Sequence, residues 1–346
     1  MIHGGPDLGP WKIRRDSTSV EIVQRIIAAP MAGGLDPPYR MVLHRLGCPL
    51  SFTEMISARA VYENTRRTAS LFSWIPGEGL SGAQIFGADP KYLSHAALEM
   101  ERTGHHVIDL NAGCPKRKVY RTGAGSAMLK DPENLVSCAS SILDAVKIPF
   151  GIKMRMGFHH PEEGTLRKLV RDLQSIGASY IAMHPRTMTQ QYSGKADRKL
   201  IERMSGWIDI PLIATGDVRA PSDVIDYLDR GATAVMVARG LLGDPTWIPR
   251  AIASLEGGPW HGRYPGKMED VRYHLSLLRE HLKNAVEWYG EERGMIELRP
   301  HLSWYLKRFD GRREFRDRLF SLTTGDGALR FIDEVEKGWV GYCKDD

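Results

Sequence analysis

At 346 residues, with 42% hydrophobic against 26% charged residues, the chain can bury a large core without disulfide or metal support, which excludes a disordered or fibrous protein. A net charge of +5 is too small to require a nucleic-acid partner by itself. No apolar run is long enough to predict a membrane span, and the Gly/Pro-rich first eleven residues carry no apolar signal region. The four cysteines, Cys48, Cys114, Cys138 and Cys343, are too far apart for a CxxC pair, so we expect a reducing, cytoplasmic location and no metal site.

Taken in chain order, residues 1–20 read as an N-terminal extension. From residue 26, eight apolar, β-branched runs follow: Ile26–Gly33, Leu50–Ser57, Leu80–Gly87, His106–Gly113, Pro149–Gly157, Ser179–Arg186, Pro211–Asp217 and Ala232–Gly240. Their near-continuous hydrophobicity predicts parallel strands buried on both faces. Amphipathic segments lie between most of them. Asp89–Arg102 and Asp131–Val146 both open on Asp-Pro, and Pro221–Arg230 ends at Gly231, a residue suited to a helix C-terminus. Eight strand–helix repeats predict a (β/α)₈ TIM barrel over residues 21–258. A doubly wound sheet is the alternative, but the first strand ends in Pro30-Met31-Ala32-Gly33-Gly34, which is not G-x-G-x-x-G. Gly257-Gly258-Pro259 and Pro265-Gly266 then punctuate the chain. Residues 259–346 predict a small all-helical domain, with helices at Val271–Tyr289, Leu298–Phe309, Arg312–Leu322 and Gly327–Lys337.

In such a barrel the reactive residues belong at the C-terminal strand ends. Those ends carry Met31, Glu54, Gln84, Asn111 to Pro115, Lys153 to Arg155, His184 to Arg186, Gly216-Asp217 and Arg239-Gly240. One strand-end His or Lys is more often a structural hydrogen-bonding residue than a catalyst; eight ends in succession are not explained that way. Glycines after the seventh and eighth strands suit close approach of a phosphate, and Arg239 adds a charged donor. Lys153 and His184 suit the electron-rich face of a flavin, with Gln84 and Asn111 as amide partners of the ring or substrate. On residues alone, a sugar-phosphate aldolase or isomerase fits nearly as well.

Several stretches resemble the tRNA-dihydrouridine synthase family. They are Ala29-Pro30-Met31-Ala32-Gly33, Thr53-Glu54-Met55-Ile56, Gln84-Ile85-Phe86-Gly87, Ile108 to Pro115 with its Asn-Ala-Gly-Cys-Pro, Gly123-Ala124-Gly125-Ser126, Lys153-Met154-Arg155-Met156-Gly157, His184-Pro185-Arg186-Thr187, Gln191-Tyr192-Ser193-Gly194, Gly216-Asp217 and Met236 to Gly240. They run in the family's order over residues 26–250, and the helical tail resembles its tRNA-recognition domain. The resemblance implies FMN, NADPH as reductant and uridine in tRNA as substrate. It implies that Cys114 gives a proton to C5 of uracil while reduced flavin gives hydride to C6. It places flavin contacts at Pro30, Met31, Gln84, Lys153, His184, Gly216, Asp217, Arg239 and Gly240, and substrate contacts at Asn111 and Arg186. Three positions depart from the family's usual residues: Pro185 lacks an N–H, Thr215 is shorter, and Ala238 adds a methyl where glycine is common.

A thiol with an ordinary pKa of about 8.5 is mostly protonated at neutral pH and can act as a general acid. The ordinary reading of a free cysteine, a small buried hydrophobe, suffices for Cys48 and Cys138. Beside Cys114 stand Lys116, Arg117, Lys118 and Arg121. Arg299, Lys307, Arg308, Arg312, Arg313, Arg316 and Arg318 cluster in the tail, interleaved with His301, Trp304, Tyr305, Phe309 and Phe315. Cations suit phosphates and aromatics suit bases, so Lys116, Arg117, Arg299 and Lys307 are the expected tRNA contacts. The alternatives are a free-pyrimidine or ene reductase on the same barrel, and an RNA-binding relative without catalysis. A monomer is the expected state.

Overall fold

The computed structural model describes residues 8–64, 74–75, 77–160, 162–258, 268–308 and 312–339. An antiparallel hairpin comes first, β1 (Trp11–Arg15) and β2 (Thr18–Ile22). Eight parallel strands then close into a barrel: β3 (Ile26–Ala28), β4 (Leu50–Phe52), β6 (Leu80–Phe86), β7 (Val107–Ala112), β8 (Phe150–Gly157), β9 (Tyr180–Thr187), β10 (Leu212–Thr215) and β11 (Ala234–Val237). Closure is made where Val235 of β11 pairs with Ile26 of β3. A two-residue strand, β5 (Ile56–Ser57), prolongs the second position alongside β6. All eight anticipated strands are therefore present, and the fold is the TIM barrel the repeat predicts.

The helices between the strands bury one stripe each, as amphipathic segments must. They are α1 (Pro37–Arg45), α2 (Ala58–Tyr62), α3 (Pro90–Arg102), α4 (Arg117–Tyr120), α5 (Pro132–Ala145), α6 (Glu163–Ser175), α7 (Arg198–Ser205), α8 (Pro221–Asp229) and α9 (Trp247–Leu255). In α6 the buried stripe is Leu166, Leu169, Val170 and Leu173. The two Asp-Pro starts work as expected. Asp89 accepts from the Lys91 N–H at 2.9 Å, and Asp131 accepts from the Asn134 N–H at 3.0 Å.

Two differences from the sequence reading have physical causes. The hairpin within residues 11–22 was not anticipated. Its alternation is short, but Trp11, Ile13, Val20 and Ile22 are buried against Ile27, Leu50, Val107, Ile213 and Ala234, so the hairpin plugs the N-terminal end of the barrel. The second tail helix begins seven residues before the anticipated Leu298. Gly294 and Pro300 are poor helix formers, yet packing carries the helix through them. The tail comprises α10 (Met268–Tyr289), α11 (Glu291–Tyr305), α12 (Arg312–Ser321) and α13 (Gly325–Trp339). Leu275, Leu278, Leu282, Leu298 and Leu302 join the same apolar core as the barrel helices. No helix among the described residues is long and apolar enough to cross a membrane.

Candidate active site

The C-terminal strand ends converge on one cavity of about 690 Å³. Pro30 and Met31 enter it after β3, Gln84 from β6, and Asn111 and Cys114 from the β7 end. Lys153 comes from β8, and His184 and Arg186 from β9. Gly216 and Asp217 follow β10, and Arg239 and Gly240 follow β11. Lys116 also lines it, whereas Arg117, Arg299 and Lys307 do not and lie exposed. Glu54 is outside the cavity as well. It accepts a hydrogen bond from the Gly33 backbone and faces Asp36 and His301.

A buried relay forms the floor. Asp109 accepts from the Tyr180 hydroxyl at 2.7 Å and from Gln84 Nε2 at 2.7 Å. Gln84 Oε1 accepts from Asn111 Nδ2 at 2.8 Å. Asn111 Oδ1 in turn accepts from the N–H groups of Gly113 and Cys114, at 3.1 and 2.9 Å. Asn111 thereby fixes the backbone that presents Cys114. From the other side, the Ser126 hydroxyl donates to the Cys114 carbonyl at 2.9 Å and its N–H donates at 3.2 Å. Gly125 has φ +60°, and a Cβ there would sit 2.9 Å from Val119 and 3.2 Å from Cys114 Cβ. The Gly-Ser pair is thus the backing of the cysteine loop. Lys153 shares the floor with Asp109. Burial pushes the carboxyl up and the amine down, and the attraction between them opposes both shifts.

The ends of β8 and β9 supply a second cluster. Arg155 donates to the carbonyls of Gly113, Thr187 and Gln191 at 2.8–2.9 Å. Arg186 is 1% exposed and donates to Asp217 at 2.5 Å, to the Gly194 carbonyl at 2.7 Å and to the Ser193 carbonyl at 3.2 Å. Its remaining nitrogen lies 3.3 Å from His184 Nε2. A guanidinium only donates, so Nε2 of His184 accepts and its proton sits on Nδ1. Burial, reinforced by Lys153, Arg155, Arg186 and Arg239, brings His184 down to about 2, so the ring is neutral. Gly216 has φ +111°, and a Cβ would lie 2.6 Å from the His184 ring. Only glycine leaves room for the imidazole there.

Two of the three departures from the family pattern have local accommodation, and the third, Ala238, stands on the cavity wall. Pro185 falls where β8 and β9 shift register between Arg155 and Gly157, an irregularity that needs no N–H from it. Thr215 donates its hydroxyl to the Met236 carbonyl at 3.0 Å.

Sequence alone gives no individual site role to Arg155, Met55, Tyr192, Arg219 or Trp247, all of which line the cavity, and it names Trp304 only among the tail aromatics suited to bases. Arg155 and Tyr192 stand inside quoted motifs, and that was the available signal. Trp304 comes from α11, and nothing local in sequence places it beside strand ends of the barrel.

The donor set suits a flavin. Neutral His184 offers an Nδ1–H, Lys153 a buried amine, and the Gly216 and Gly240 turns stand with Arg239 on the same cavity.

Comparison with known proteins agrees. The family model for dihydrouridine synthase (Dus) matches residues 26–337. tRNA-dihydrouridine synthase B of Shewanella oneidensis is 32% identical over 330 residues, covering 94% of this chain and 97% of that protein. The Escherichia coli K12 protein of the same name is 32% identical over 317 residues, covering 90% and 96%. Among solved structures, morphinone reductase superposes with a TM-score of 0.54 at 14% identity, over 75% of this chain and 92% of that one, a likeness of fold. With the strand-end constellation, the matched span and these relatives together, the chain belongs to the dihydrouridine synthase family.

Proposed function

We propose that the protein is an FMN-dependent tRNA-dihydrouridine synthase that reduces the C5–C6 double bond of specific uridines, with NADPH as reductant and Cys114 as proton donor. The observation that carries this reading is the placement of Cys114. It lines the cavity on a loop held by Asn111 from below and by Ser126 from behind, facing the same space as Lys153 and His184. FMN, when bound, supplies the hydride that C6 receives. Pro30, Met31, Gln84, Lys153 and His184 would hold its ring, and Gly216, Asp217, Arg239 and Gly240 its phosphate end. The Cys114 thiol gives its proton to C5 as C6 is reduced. Arg186 acts through His184 and Asp217 and is a positioning residue in this scheme.

The uridine must leave its stack to reach the cavity. Lys116 at the cavity, and Arg117, Arg299 and Lys307, which are exposed in the basic loop and the tail, are the proposed phosphate contacts. Residues 259–346 are proposed as the tRNA-recognition domain, with 21–258 the catalytic barrel and 1–20 its N-terminal extension. Part of the expected aromatic and basic tail cluster, including Phe309, lies outside the described residues. We further propose a cytoplasmic monomer.

Cys114→Ala separates the half-reactions. The variant should bind FMN and be reduced by NADPH as the parent is, yet lose about 10²–10⁴-fold in dihydrouridine formation, the usual worth of a general acid. Stopped-flow absorbance follows the first step and mass spectrometry the second. Unchanged dihydrouridine formation would remove Cys114 from the mechanism.

A further inference from the structure

We propose that Asp36, His281 and His301 form a structural site for one divalent transition ion of the zinc class, fastening the barrel rim to two tail helices, α10 and α11. Asp36 precedes α1, His281 lies on α10 and His301 on α11, so their sequence spacing resembles no metal motif. One ligand atom from each lies within 4.8 Å of the others.

Four observations support an ion rather than simple hydrogen bonding. First, both Asp36 carboxylate oxygens, both His281 ring nitrogens and His301 Nδ1 are buried with no hydrogen-bond partner. Buried polar atoms are nearly always satisfied, and an ion held by Asp36 and the two Nε2 atoms would satisfy the carboxylate and His281 Nε2, the two Nδ1 atoms lying outside its shell. Second, Asp36 Oδ1 stands 3.6 Å from His281 Nε2 and 3.3 Å from His301 Nε2. A charge-assisted hydrogen bond would draw such pairs to about 2.7–2.9 Å. Around zinc, with ligands at about 2.0–2.2 Å, a tetrahedral edge is about 3.3–3.6 Å. Third, Asp36 holds the N-cap position of α1 but makes no side-chain cap hydrogen bond. Its carboxylate, which would ordinarily satisfy the helix start, turns to the two imidazoles instead. Fourth, Glu54 lies near enough to interact electrostatically with Asp36 and His301. Two carboxylates balance a divalent charge that one would leave in excess.

Two imidazoles and a carboxylate favour zinc or a neighbouring first-row ion over magnesium or calcium, which prefer all-oxygen shells. The setting is dry. The Tyr39 ring packs 5.0 Å from His281 and 4.9 Å from His301. Trp304 packs 5.1 Å from His301 and also lines the active cavity. The ion would thus fix the helix that carries Trp304 without touching the reacting atoms.

The test uses full-length FMN-loaded protein, stripped with chelator and then titrated with zinc chloride. Plasma mass spectrometry after desalting should find about one zinc per chain, and zinc should raise the melting temperature. Asp36→Asn and His301→Asn should lose both effects while keeping parental circular dichroism and bound FMN. X-ray absorption on the wild-type zinc form needs no variant to fold, and should show nitrogen and oxygen neighbours with imidazole scattering and no sulfur. Absence of bound zinc in folded wild-type protein would overturn the proposal. So would zinc retained by the folded variants, or a sulfur ligand, which would place the ion elsewhere.

Discussion

Asn111 bonds in two directions at once. Its amide nitrogen reads Gln84, and its oxygen gathers the two N–H groups that shape the Cys114 loop. A residue assigned by resemblance to the substrate side therefore has a structural duty that motif matching cannot show. The same holds for Arg186, whose donors are engaged by His184, Asp217 and two carbonyls. Burial also sets a pH dependence here. Burial brings the Lys153 amine below its ordinary value, with Asp109 opposing the shift, so its charge is lost at a lower pH than a free lysine's. If a flavin lies beside it, negative charge developing on the ring loses its partner as pH rises through that value. Flavin reduction followed by stopped flow should therefore slow across that pH in the parent. In Lys153→Arg the slowing should vanish, because a guanidinium stays charged. In Lys153→Met the rate should sit at the slow level throughout. A parental profile in the methionine variant would show that Lys153 does not face the ring.

At the scale of elements, the barrel was legible because parallel strands must be apolar on both faces. Most of the eight runs from Ile26 to Gly240 carry that mark. The hairpin β1–β2 was not, because its alternation spans only five residues per strand and its meaning comes from the barrel end it covers. Trp11 is 6% exposed and donates its indole N–H to the Gln24 carbonyl at 2.9 Å. Trp11→Ala should cost about 3–5 kcal/mol, the usual cost of truncating a buried tryptophan. The hairpin plugs the end of the barrel opposite the cavity, so turnover below the new melting temperature should match the parent. Denaturant melts and a rate assay check the pair. A loss of turnover at full folding would mean the plug shapes the site.

For the whole molecule, the site is a joint product of barrel and tail. Trp304 on α11 lines the cavity, and Leu298 and Leu302 of the same helix share the barrel's core. None of this was readable from spacing, since the contact spans residues far apart in sequence. The tail's helices, basic residues and interleaved aromatics are legible in sequence, but not which of them reaches the barrel's strand ends. If Arg299 and Lys307 meet phosphates, replacing both with alanine should weaken tRNA binding and lower the salt slope of log K by about 1–2. An unchanged slope, measured by filter binding over a salt series, would place the RNA elsewhere. The central claim is tested most directly by incubating an unmodified tRNA transcript with protein, FMN and NADPH, then mapping dihydrouridine by mass spectrometry. The account predicts dihydrouridine at a defined position, absent with Cys114→Ala. Bound flavin and oxidised NADPH with no dihydrouridine, in transcript or in tRNA from cells lacking the enzyme, would contradict it.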